Sequence, residues 1–197
     1  MEATRSTRIL AIVRQVIARR AEEAEDGAES GFTLIELMVV LLIMAILLAI
    51  AIPTFLGVKG GAQDRSAQSD LTNGLTAAKA YYTNVGSYGT AGAVVASMTT
   101  SEPELSWQTG SVTSGTAHGI SVAVYDTGQV LVLATQSASG TCWYAADVEA
   151  SGGDTTDLTG AGHAGVWYGS YTPNPASTGC DAGTLTNVTN WGSTYPA

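Results

Sequence analysis

Basic residues are scarce in this chain beyond its first 31 positions. From residue 32 onward only Lys59, Arg65 and Lys79 stand against eleven acids. Phosphate binding rests on Lys and Arg displacing counterions, so the composition of such a body disfavours nucleic acid as a partner. The same scarcity leaves no basic stripe for adhesion to anionic lipid. Histidine is nearly missing: His118 and His163 stand apart, with no His-Glu-x-x-His, Cys-x-x-Cys or Gly-x-Ser-x-Gly pattern in the chain. Nothing marks a catalytic apparatus, and neither an enzyme activity nor a cofactor is expected. Cysteine is limited to Cys142 and Cys180, enough for one cross-link. Export of that part of the chain makes a disulfide their natural state, and two buried free thiols are the alternative. A bond between them closes a loop of 38 residues, stabilising by ~4 kcal/mol in the chain-entropy account.

What the chain does have is one long apolar run. Of the 21 residues from Phe32 to Ile52, only Thr33 and Glu36 are polar. About 20 apolar residues cross a hydrocarbon core ~30 Å thick, so the run has the length of a transmembrane helix. An acid inside such a run is a functional-site hypothesis that requires a partner. Two structural readings of Glu36 compete with it. Thr33-x-x-Glu36 matches a capping box, and an acid this near the membrane edge can snorkel.

Residues 1–31 read as a leader. Five Arg are followed by an acidic patch (Glu22, Glu23, Glu25, Asp26, Glu29), and the arginines favour a cytoplasmic start with the body translocated. After residues 32–52, a second helical stretch covers 53–86. Pro53, Gly57, Gly60 and Gly61 predict a helix break where the two meet, as a kink or local melting. Leu71, Leu75, Ala78, Tyr82 and Val85 then recur at spacings of 4, 3, 4 and 3, one apolar stripe on a helix. The helical reach from Phe32 to Val85 is ~80 Å at 1.5 Å per residue, too long for one head to bury, so half must project.

Residues 87–197 read as β-rich. Ile120–Tyr125 and Val130–Ala134 flank the turn Asp126-Thr127-Gly128-Gln129, a hairpin signal. Thr141–Ala146 and Val166–Tyr168 predict a third and a fourth strand, with loops rich in Gly, Ser and Thr at 149–165 and 169–197. The fold class is α+β: a small antiparallel sheet packed on the Leu71–Val85 stripe. Asp147, Glu149, Asp154 and Asp157 flank Gly152-Gly153, but their spacing fails the EF-hand pattern. A solvated acidic loop is the default there, and no metal is assigned.

Gly31-Phe32-Thr33-Leu34-Ile35-Glu36-Leu37-Met38-Val39-Val40, with Pro53 downstream, resembles the N-terminus of type IV pilins and of the pseudopilins of type II secretion. The resemblance covers roughly residues 31–88 and implies a pilin-like fold. It implies that a prepilin peptidase cuts after Gly31 and methylates the new N-terminus, Phe32. It maps the family's assembly acid onto Glu36 and its helix-breaking proline onto Pro53. The leader differs from family habit, because Glu29-Ser30 precede the junction and the nearest basic residue is Arg20. Since major pseudopilins bind calcium in a C-terminal loop, the four acids above become weak candidate ligands.

The partner of Glu36 follows from the cut. Cleavage creates an α-amine on Phe32 that is largely protonated at neutral pH, and in a polymer a neighbour's Glu36 supplies its counter-charge. The implied function is a filament subunit, a major pilin serving adhesion, motility or surface contact. The alternatives are a pseudopilin and a competence-type DNA-uptake pilin, the latter disfavoured by the lack of basic residues. Implied partners are further copies of the chain, prepilin peptidase, the inner-membrane assembly platform with its ATPases, and the membrane itself. The precursor would be anchored with its leader in the cytoplasm and its head outside, becoming extracellular on assembly. A rival is an ordinary secretory signal cut at Ala49-Ile50-Ala51 to release a soluble domain, although the apolar run exceeds a typical signal core and carries an acid.

Overall fold

A computed structural model describes residues 31–149, 163–173, 179–185, 188 and 191–196. The chain divides into two compact units, 1–52 and 53–197. A single helix, α1 (Leu34–Val85, 52 residues), contributes to both. The melting expected at Pro53, Gly57, Gly60 and Gly61 is not found, because α1 remains helical through all four positions. Proline removes one helical N–H and adds one steric clash. That cost of ~3 kcal/mol is local, and the Leu, Ile, Ala and Met turns ahead of it are adequate helix formers.

In the first unit every described residue is exposed, including the apolar side chains from Leu34 to Ile52. In the second unit α1 buries Ala67, Leu71, Gly74, Leu75 and Ala78. The predicted stripe therefore holds at Leu71, Leu75 and Ala78, and Tyr82 is half-buried. Val85 departs from it at 58% exposed, because the last turn of α1 runs beyond the core cluster. The helix stops at Gly86, whose φ of +78° no β-branched residue would tolerate. Its N–H donates to the Tyr82 carbonyl at 2.6 Å, meeting one of the last free acceptors.

A second helix, α2 (Ala91–Ser101), lies within the region expected to be β-rich. Thr90 caps it, its side-chain oxygen accepting from the Ala93 N–H at 3.2 Å, and Val94 and Met98 face the core. Five strands follow: β1 (Ser106–Gln108), β2 (Gly119–Tyr125), β3 (Val130–Gln136), β4 (Cys142–Val148) and β5 (Gly165–Tyr171), in spatial order 1-2-3-4-5. The predicted hairpin is β2–β3, pairing Tyr125 with Val130 across Asp126–Gln129. Strands β3 to β5 continue antiparallel, but β1 pairs parallel to β2, so the expected antiparallel sheet is a mixed one. The parallel step arises because β1 enters from α2 and reaches β2 through a loop rather than a tight turn.

Both faces of the sheet are covered, which is why β3 and β4 are buried at every position. On one face Ile120, Leu131, Leu133 and Trp143 pack with Leu71, Leu75, Met98 and Trp107. Gly74 belongs to this contact: a Cβ there would stand 2.9 Å from the Trp107 ring. On the other face Val132, Ala134, Tyr144 and Ala146 pack with Val112, Ala182, Leu185 and Val188. The cover on that side is the C-terminal segment, held by a disulfide between Cys142 of β4 and Cys180, Cα atoms 5.5 Å apart.

Candidate functional site: the N-terminal junction and its helix

The sequence before α1 builds its own cap. The Thr33 N–H and hydroxyl both donate to Glu36 Oε2, at 2.9 and 2.8 Å. In return the Glu36 N–H donates to Thr33 Oγ1 at 3.2 Å, completing a capping box. The arrangement satisfies helical donors that have no intrahelical acceptor and sets a negative group at the positive end of the helix dipole. Glu36 therefore has a local structural role within one chain. Phe32 projects from the same turn and is 86% exposed.

From Leu37 to Ile52 the helix is apolar on all sides, and its residues are exposed among the described residues. It is long and apolar enough to cross a membrane. A helix hydrophobic all round is stable only when wholly surrounded by apolar material, lipid or protein. Past Pro53, Phe55, Leu56 and Val58 are also exposed, and Gly57, Gly60 and Gly61 face open space.

The remaining candidate positions lie in the second unit. Cys142 and Cys180 are joined to each other. Asp147 is buried on β4, where Lys79 Nζ donates to Oδ1 at 2.6 Å and the Tyr88 hydroxyl donates to Oδ2 at 2.5 Å. Lys79 also lies 3.8 Å from Glu149. Both Asp147 oxygens are thus engaged by protein donors, an ion-pair arrangement rather than a metal cradle. Asp154 and Asp157 lie outside the described residues, and among those described no group of three metal-ligating side chains gathers. Burial works against the Lys79 charge, but the facing Asp147 carboxylate wins and moves its pKa up. Burial and then the bond to Asp147 push the Tyr88 phenol far above its ordinary value. The hydrogen bond to Asp147, with burial next, raises Glu149.

This Lys79–Asp147–Tyr88 tie is the main feature that reasoning on the sequence missed. The available signal was Lys79 itself, the only basic residue in the amphipathic stretch after Arg65. Asp64 is a second missed tie, its Oδ1 accepting from Ser137 and Ser139 at 2.6 Å each and from the Trp143 indole at 3.3 Å. Among the described residues neither histidine joins a reactive constellation: His118 Nδ1 sits 3.0 Å from Asp70, and the His163 ring packs edge-on to Trp167.

Residues 27–52 match the family model of the prokaryotic N-terminal methylation motif. No curated protein and no solved structure matches the chain. A motif of this class implies processing by prepilin peptidase and use of the pilus assembly machinery. The matched stretch contains the Gly31–Phe32 junction, the Thr33–Glu36 box and the apolar helix up to Ile52, exposed among the described residues. That motif, at the start of a long helix that a small mixed sheet follows in the chain, supports a type IV pilin-like prepilin.

Proposed function

We propose that the chain is cut after Gly31, methylated at Phe32 and polymerised through α1 into a type IV pilus filament as its major subunit, with the disulfide-clipped head forming the outer surface. The observation that carries this reading is the coincidence of the methylation motif with an apolar helix that is exposed among the described residues. In the membrane that helix is solvated by acyl chains, and in a filament by other copies of itself. The transfer is apolar to apolar, so the hydrophobic effect nearly cancels and extrusion and return are both accessible. What fixes register must then be polar. The protonated amine of Phe32 meets a neighbour's Glu36, each meeting the other's charge in a medium where an unpaired charge is costly.

The uncut chain is an anchored monomer, because that amine does not exist until the leader leaves. Adhesion, motility and surface contact belong to the head. Intact-mass analysis and N-terminal sequencing of membrane-held and sheared material test the processing step: a methylated Phe32 start supports it, and an Ile52 start overturns it. Electron microscopy of a deletion strain tests the filament, since loss of long surface fibres supports the pilus. Fibres intact with secretion lost would make the chain a type II pseudopilin instead.

A further inference from the structure

The chain carries eight tyrosines. Among the described residues their rings meet in two pairs, Tyr82 with Tyr88 and Tyr168 with Tyr195. The second pair is the closer, with ring centroids 4.3 Å apart and planes tilted by 44°. It joins strand β5 to the C-terminal segment, and neither ring is free to leave. Tyr168 and Gly192 exchange two backbone hydrogen bonds, of 2.8 and 2.9 Å. The Tyr195 hydroxyl donates to the Gln68 carbonyl of α1 at 3.2 Å, and the Trp143 ring packs edge-on to the Tyr195 ring at 5.8 Å. Both Tyr168 and Tyr195 are half-buried, so solvent still reaches them. In the other pair Tyr88 is fully buried, with its hydroxyl held by Asp147.

We propose that Tyr168 and Tyr195 are a site of oxidative cross-linking, coupled ring to ring by a one-electron oxidant of the peroxidase class acting outside the cytoplasm. The disulfide in the same unit fits the oxidising setting that this needs. Each phenol gives up one electron and its hydroxyl proton and becomes a phenoxyl radical. Thr72 Oγ1, exposed and 3.5 Å from the Tyr195 oxygen, offers that proton a route to water. The unpaired electron is shared with the ring carbons ortho to oxygen, and one such carbon from each ring forms the new C–C bond. Each bonded carbon then loses its hydrogen as a proton and each oxygen regains one, restoring both phenols. In all, two protons and two electrons leave, and they reduce one hydrogen peroxide to two waters. Radicals on separate molecules couple only by encounter, whereas two rings held in contact gain the advantage of an oriented intramolecular reaction. The product is a second staple on the C-terminal segment. The disulfide clips that segment on one face of the sheet, while Tyr168 and Tyr195 pack with the cluster on the α1 face.

The test treats dilute full-length protein in detergent with a haem peroxidase and hydrogen peroxide. A monomer lighter by two hydrogen atoms should form, with blue dityrosine fluorescence and a cross-linked peptide joining residue 168 to residue 195. Tyr168→Phe and Tyr195→Phe should each lower that product about tenfold or more, as loss of an oriented intramolecular reaction does. Tyr82→Phe should leave it unchanged. Phenylalanine keeps the ring packing, and unchanged tryptophan emission reports intact folding of each variant. After reduction of the disulfide, coupled protein should unfold at a higher urea concentration than uncoupled protein. A link between Tyr82 and Tyr88, products between molecules only, no lighter monomer, or an unshifted urea midpoint would each overturn the proposal.

Discussion

Removing the Cys142–Cys180 bond separates two ways in which the C-terminal segment could be held. The bond closes 38 residues, and cutting a loop of that length returns about 4 kcal/mol of entropy to the unfolded chain at 25 °C in the chain-entropy account. The folded state should change much less, because the segment has other attachments. Val112 and Cys180 exchange two backbone hydrogen bonds of 2.8 and 2.7 Å. The Ala182 N–H donates to Ser121 Oγ, and the Tyr125 hydroxyl donates to the Ala182 carbonyl, each at 3.0 Å. Ala182, Leu185 and Val188 are buried against the outer face of the sheet.

The double variant Cys142→Ala/Cys180→Ala, as full-length chain in detergent, should therefore keep its native tryptophan emission while losing about 4 kcal/mol in urea. At a slope near 2 kcal/mol/M, the midpoint falls by about 2 M. A loss under about 1 kcal/mol would refute the loop-closure account. A different failure would show in the slope. If the segment peels away in the folded state, less surface remains to be exposed on unfolding and the slope drops. Val132, Ala134 and Tyr144 would then be open to a hydrophobic dye, refuting the claim that non-covalent contacts keep the cover in place.

Gly74→Ala gains helix propensity of about 1 kcal/mol but drives a methyl to 2.9 Å from the Trp107 ring. Overpacking costs of ~1–3 kcal/mol should dominate, giving a lower melting temperature, and a higher one would refute the close approach. The Lys79–Asp147–Tyr88 tie should weaken in alkali. Lys79 and Tyr88 both have folded pKa values above their ordinary 10.5 and 10.0, so the unfolded chain sheds these protons first. Their stabilisation is complete below about pH 10 and is lost as pH rises toward the folded values. Urea melts at pH 9 and 11 should show the fall, with Tyr88→Phe and Lys79→Met each flattening it. Glu36→Gln keeps a side chain able to complete the capping box but removes the charge, whereas Thr33→Val removes the box and keeps the charge. Glu36→Gln should remain cleaved and membrane-held with few filaments, while Thr33→Val should assemble; the reverse order would make Glu36 a cap alone.

The parts of the fold legible in the sequence are those where one local rule acts unopposed. The β2–β3 hairpin was readable because Asp126-Thr127-Gly128-Gln129 interrupts two apolar runs, and those residues form the turn found between Tyr125 and Val130. Leu71, Leu75 and Ala78 were readable because helical period and burial coincide. Helix α2 was not, since Val94, Val95, Thr99 and Thr100 are β-branched residues of modest helix propensity. What decides it is tertiary: the Thr90 cap and the packing of Val94 and Met98 into the core. The parallel pairing of β1 was equally hidden, because three residues carry no usable period. Local melting at Pro53 is the opposite case, a strong local rule overridden by the helix on both sides of it. At the functional end the same logic separates what one chain settles from what it does not. The Thr33–Glu36 box is a three-residue contact and was visible as a pattern. A counter-charge for the Phe32 amine depends on a second chain and on a bond not yet cut, so no spacing within one copy could reveal whether cap or charge is the reason an acid stands there.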